Sequence, residues 1–133
     1  MATTVTVPPR SKVRPGDTWD LASLYPSDKG WEADFKKWSA MIEGFATFRC
    51  TLGTSAQNIR KCYDFDTDFE RDGERLGTYA FLKPAEDATN STYQRMIGRY
   101  RNVASRAGQA ASYIRPEIMA IPAKTMATFM AAK

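Results

Sequence analysis

Histidine is absent from all 133 residues. That excludes imidazole metal sites and histidine-based acid–base catalysis within this chain. Cysteine is scarce: Cys50 and Cys62 allow at most one disulfide. Cys50 falls near the end of one expected helix and Cys62 about two turns into the next. Across a short antiparallel hairpin those positions are not opposite each other, so two reduced thiols are expected. No run approaches the roughly 20 apolar residues that a membrane-spanning helix needs, so no membrane association is expected. The opening MATTVTVPPR lacks a basic segment followed by an apolar one. It is not a secretory signal, and a cytoplasmic location is the expectation. Strand-like alternation and internal repeats are also missing. Acid is missing locally: none occurs between Asp87 and Glu117, although Arg95, Arg99, Arg101, Arg106 and Arg115 lie inside that interval. The net charge of +4 permits an anionic partner without demanding one.

What is present is helical periodicity. A chain of this length buries roughly two-thirds of its unfolded surface, enough for one core. Residues 1–17 carry three prolines and no apolar period, which predicts a flexible tail. Asp20 is placed to cap a single turn that Pro26 stops, with Trp19 and Tyr25 expected to pin this arm to the core. A first helix should start at Ser27 or Asp28 and run to Arg49. Its Trp31, Phe35, Trp38, Ile42 and Phe45 step by four and three. Ser55 should open a second helix whose stripe is Ile59, Cys62, Phe65, Phe69, Leu76 and Ala80. Gly73 and Gly77 interrupt it and mark either a bend or a close helix crossing. Lys83 to Thr89 reads as the turn, with Pro84 stopping the second helix after Leu82. A third helix capped near Asn90 carries Tyr93, Met96, Tyr100, Val103, Ala107, Ala110 and Ile114 on one face and reaches Tyr113 or Ile114. Pro116 and Pro122 start two short last elements. Long helices joined by short turns fold back on each other. The fold class is therefore all-α, an antiparallel bundle of three long helices with short terminal helices, over residues 18–133.

The charges admit two false leads. Asp68, Glu70, Asp72 and Gly73 match the first half of a calcium loop, but its twelfth position is Tyr79 and the helical period continues. An acidic outer face is the expectation, and no metal residue is assigned. The arginines of the third helix could suggest nucleic acid. Folding the second and third helices about Asp87 makes facing numbers sum to about 174, so Asp68 meets Arg106 and Asp72 meets Asn102. Arg75 against Arg99 does not fit. Pairing between helices is thus expected in place of nucleic-acid binding, at no more than about 1 kcal/mol per exposed pair.

Three segments, WDLASLYPSDKGWEADF, LGTYAFLKPAEDATNSTYQRMIGR and SYIRPEIMAIP, together resemble the amino-terminal region of oligoendopeptidase F. The likeness runs from Trp19 to Phe129, in order. That family comprises zinc metallopeptidases that cut short peptides. One departure is Pro84-Ala85, where the family is expected to carry Ser-Asp. The larger departure concerns chemistry. The family's zinc is held through HExxH in a carboxy-terminal domain, and a chain with no histidine cannot hold that site.

The resemblance therefore implies no catalytic, cofactor-binding or metal residue at any position here. It implies a non-catalytic helical lobe forming part of a substrate-channel wall. Its partners would be the remainder of the peptidase and, in the full enzyme, peptide substrate. The zinc of the parent family would lie outside this chain. The alternative is an autonomous helical interaction module. Ile118, Met119, Ile121, Met126, Phe129 and Met130 would then support a homo-oligomer. A stand-alone hydrolase has no support in the spacing of carboxylates and hydroxyls.

Overall fold

A computed structural model of the chain describes residues 7–132, so part of the expected tail lies outside the described residues. Every regular element among them is helical, and no strand occurs. The long elements are α1 (Asp28–Met41), α2 (Ala56–Glu86) and α3 (Ser91–Ala111), followed by α4 (Ile114–Met119) and α5 (Ala123–Ala131). Each long helix begins on a side chain that accepts from backbone N–H groups otherwise left without partners. The Ser27 hydroxyl accepts from Gly30 N, the Ser55 hydroxyl from Asn58 N, and Asn90 Oδ1 from the backbone of Thr92 and Tyr93.

The α1 seam enters the core as its spacing predicts. Trp31, Phe35 and Trp38 are buried, and Ile42 and Phe45 follow them inward. The expected single helix to Arg49 instead tightens into a 3-10 segment over Ile42–Phe48. Two indoles then tie α1 to α2. Trp31 Nε1 donates to Leu76 O and Trp38 Nε1 donates to Phe69 O, each at 2.9 Å. A buried indole left without an acceptor would cost about 1–3 kcal/mol, so these bonds fix register as well as attachment.

The question left by the two glycines of α2 resolves as close approach. A Cβ on Gly73 would sit 2.9 Å from the Trp38 ring, and one on Gly77 would sit 2.6 Å from Tyr100. The missing side chains let the Trp38 and Tyr100 rings come close to the α2 backbone. Tyr100 and Phe69 both stack with Trp38, at ring-centroid distances of 5.3 and 4.9 Å, so Trp38 is the hub of the aromatic cluster.

Four further expectations are corrected. Pro84 does not stop α2, which continues to Glu86. Only one helical hydrogen bond is lost so near the end, and Lys83 and Glu86 are both held by side-chain partners. Lys83 Nζ reaches Asp28 at 3.3 Å, and Glu86 pairs with Arg10 at 2.8 Å. Trp19 is not an anchor, being 77% exposed, whereas Tyr25 is buried. The turn Leu21–Ser23 directs Leu21, Leu24 and Tyr25 inward, and Trp19 precedes it on the outer side. Arg75 holds the arm instead, donating Nε and Nη2 to Leu24 O and placing its guanidinium 4.4 Å from the Tyr25 ring.

The third correction concerns charge. Among the described residues no ion pair joins α2 to α3. Asp68 pairs with Arg71 on its own helix, and Arg99 forks onto Glu32 of α1. The register itself is close to the expected sum, since Gly77 lies against Tyr100 in an antiparallel arrangement. Last, α3 ends at Ala111, two or three residues short of expectation, and α4 begins at Ile114.

Candidate functional site

The sequence assigns no catalytic or metal residue to this chain. Among the described residues no group of three or more His, Cys, Asp or Glu is placed to hold a metal ion. The calcium-like run stays within α2 and splays around it. Asp68 turns to Arg71, whereas Glu70 faces the α3 side.

A groove between α2 and α3 has a volume of about 360 Å³. Phe45, Trp38, Phe69 and Tyr100 form its floor. The α3 wall is built from Ala104, Ala107, Gly108 and Ala111, whose small side chains leave the floor open. The α2 rim carries Asp66, Glu70 and Glu74, four residues apart and so on one line of the helix. A second, shallower depression bounded by Gly77, Phe81 and Leu82 shares Glu74 and Tyr100 with the first. The groove therefore continues along α2 from Asp66 to Leu82, about 24 Å at 1.5 Å per residue. Burial pushes the Asp66 carboxyl above its ordinary value. Burial, and then the Glu74 charge, raise the Tyr100 phenol. Nothing in the groove pairs a nucleophile with a base.

Elsewhere the polar groups serve structure. Asp28 Oδ1 accepts from Tyr79 Oη at 2.7 Å and receives Lys83 Nζ. Burial, and then that bond, push the Tyr79 phenol up to about 12. Burial disfavours the Lys83 ammonium, but the Tyr93 hydroxyl and the Tyr79 and Asp28 charges outweigh it and raise its pKa. Both thiols are free, Cys50 exposed and Cys62 buried. Burial pushes the Cys62 thiol up, against a smaller opposing effect of Tyr113, so it is poorly suited to nucleophilic attack.

A clasp that the sequence reading did not find involves Glu117. Its two carboxylate oxygens accept from Cys50 N and Leu52 N, each at 3.0 Å. Cys50 has φ 62°, a left-handed conformation that non-glycine residues rarely adopt. The carboxylate holds this strained turn against the start of α4. The Pro116-Glu117-Ile118 motif was visible, but nothing in its local spacing points 67 residues back.

At the far end α5 buries no residue, and Met119 and Met130 are 77% and 81% exposed. No helix among the described residues is long and apolar enough to cross a membrane.

Among the described residues the chain is all-α, with aromatic seams and an open groove between α2 and α3. Comparison with known proteins supplies the particulars. The chain is 32% identical over 128 residues to oligopeptidase PepF of Bacillus subtilis, covering 96% of this chain and 19% of that protein. It is 22% identical over 121 residues to group B oligopeptidase PepB of Streptococcus agalactiae, covering 91% of this chain and 20% of the relative. An oligoendopeptidase F homologue of Lactococcus lactis is 25% identical over 115 residues, covering 84% and 19%. The resemblance to oligoendopeptidase F thus extends over most of the chain, and the chain spans about one fifth of the length of the curated relatives it matches. No family model and no solved structure matches it.

Proposed function

We propose that this chain is the non-catalytic amino-terminal helical lobe of an oligoendopeptidase F-like zinc peptidase. The observation that carries the reading is a near-complete match to peptidases of which it represents only a fifth. Absence of histidine supports it, because the lobe then contributes shape and not ligands. In this reading the zinc and the hydrolytic chemistry reside in the parent's catalytic domain. The lobe forms part of the wall that admits short peptides, and the protein acts in the cytoplasm.

The test is a chimera in which this chain replaces the matching fifth of the Bacillus subtilis relative. Peptide hydrolysis by the chimera is expected, with none by the isolated chain and no stoichiometric zinc in it by elemental analysis. An inactive but folded chimera, or zinc-dependent cleavage by the isolated chain, would overturn the assignment.

A second reading has its own observation. The bare apolar side chains of α4 and α5 fit self-association, as an autonomous interaction module requires. Sedimentation that shows a monomer at every accessible concentration would remove that reading and leave the first intact.

A further inference from the structure

The α2–α3 groove combines three features that arise separately. Its floor is aromatic and its α3 wall is small-residue, so another backbone can approach closely. Its α2 rim presents one sign of charge. Among the described residues no lysine or arginine pairs with Asp66, Glu70 or Glu74. Asp66 is half-buried, and no hydrogen-bond donor offsets its loss of solvent. A carboxylate desolvated without a cation is stabilised by whatever brings one.

We propose that this groove docks a basic amphipathic helix of a partner protein. Its apolar side chains would rest over Tyr100 and the alanine wall, and its lysines or arginines, spaced by four, would lie against Asp66, Glu70 and Glu74. The argument is charge complementarity with matched spacing. Three carboxylates on successive turns of α2 present a repeat of about 6 Å, which a second helix alongside reproduces at every fourth residue. The rim repels nucleic acid and anionic membrane surfaces. A second copy of this chain fits less well: on its α3, Arg99 is committed to Glu32 and Arg101 lies over Phe81, and Arg95 and Arg106 are not spaced by four. The inference stands apart from the peptidase reading, since it rests on this face alone.

The probe is a synthetic amphipathic peptide of about 18 residues, with lysine at three positions spaced by four and leucine along the adjoining face. Amide shifts of the 133-residue chain are followed by NMR during titration. Saturable shifts confined to residues 66–82 and 100–111 are expected. The triple variant Asp66→Lys, Glu70→Lys, Glu74→Lys should bind the lysine peptide about tenfold more weakly. It should gain affinity for the same peptide carrying glutamate in place of lysine. The single variant Glu74→Lys, at an exposed position, gives a smaller shift in the same direction should the triple variant fold poorly. Equal binding of the lysine and glutamate peptides, shifts elsewhere, or no saturation would overturn the proposal. Concentration-dependent shifts of these residues without peptide would identify a second copy as the occupant and overturn it too.

Discussion

Replacing Gly73 by alanine tests whether the close approach of Trp38 dictates the sequence of α2. In an exposed helix interior that change should stabilise by up to about 1 kcal/mol, because glycine is the costlier helix residue. At Gly73 the new methyl would lie 2.9 Å from Trp38 Cζ2 and 3.2 Å from two further indole atoms. The indole cannot withdraw cheaply. It is 2% exposed, stacks with both Phe69 and Tyr100, and is bonded through Nε1 to Phe69 O. Overpacking of this kind costs about 1–3 kcal/mol, so the net expectation is a loss of roughly 1 kcal/mol. The control is Gly98→Ala, on α3, where a Cβ meets nothing within 4 Å. That variant should gain up to about 1 kcal/mol, leaving the two substitutions about 2 kcal/mol apart and of opposite sign. Urea denaturation followed by circular dichroism and by tryptophan fluorescence measures both. The midpoints should move in opposite directions at an unchanged slope. If Gly73→Ala raises the midpoint as Gly98→Ala does, the close approach of Trp38 is not what requires a glycine there.

Three further outcomes follow from the polar groups. Glu117→Gln should cost about 1.5–3 kcal/mol, because one amide oxygen cannot replace two charged acceptors on Cys50 N and Leu52 N; an unchanged urea midpoint would dismiss the clasp. The Tyr79 phenol titrates near 10 when unfolded and at about 12 when folded, so its contribution is complete below pH 10 and is lost as pH rises from 10 to about 12. Lys83 is shifted in the same direction, so the signs add. Tyr79→Phe should therefore flatten the alkaline fall in stability, and parallel wild-type and variant curves would refute that account. A thiol reagent should titrate one cysteine quickly in the native protein, the exposed Cys50, and the second only in denaturant. Rapid reaction of both would contradict the burial of Cys62.

Periodicity made the elements legible because a stripe at three and four steps reports which face must leave water. Trp31, Phe35 and Trp38 needed no partner to be recognised as inward, and the caps at Ser27, Ser55 and Asn90 are local chemistry. What remained hidden depended on a third element. Pro84 looked like a stop because the local rule considers one helix, whereas Lys83 beside it is held by Asp28 from α1. Trp19 looked like an anchor because large aromatic residues are usually buried, but the direction of one turn decided otherwise.

The charges show the same limit more sharply. A two-helix projection gave nearly the right register for α2 and α3 and the wrong partners for their side chains. Packing sets register through Gly77 and Tyr100, which meet whatever their charged neighbours do. An arginine head can reach past the adjacent helix, as Arg99 does to Glu32 on α1, while the register places Ala111, Ala107 and Val103, none of them a cation, opposite Asp66, Glu70 and Glu74. The groove follows from that register. Had α3 supplied cations to Asp66, Glu70 and Glu74, the face would be neutral and satisfied. Its unanswered line of acid depends on how two helices meet, which no spacing along one helix could reveal.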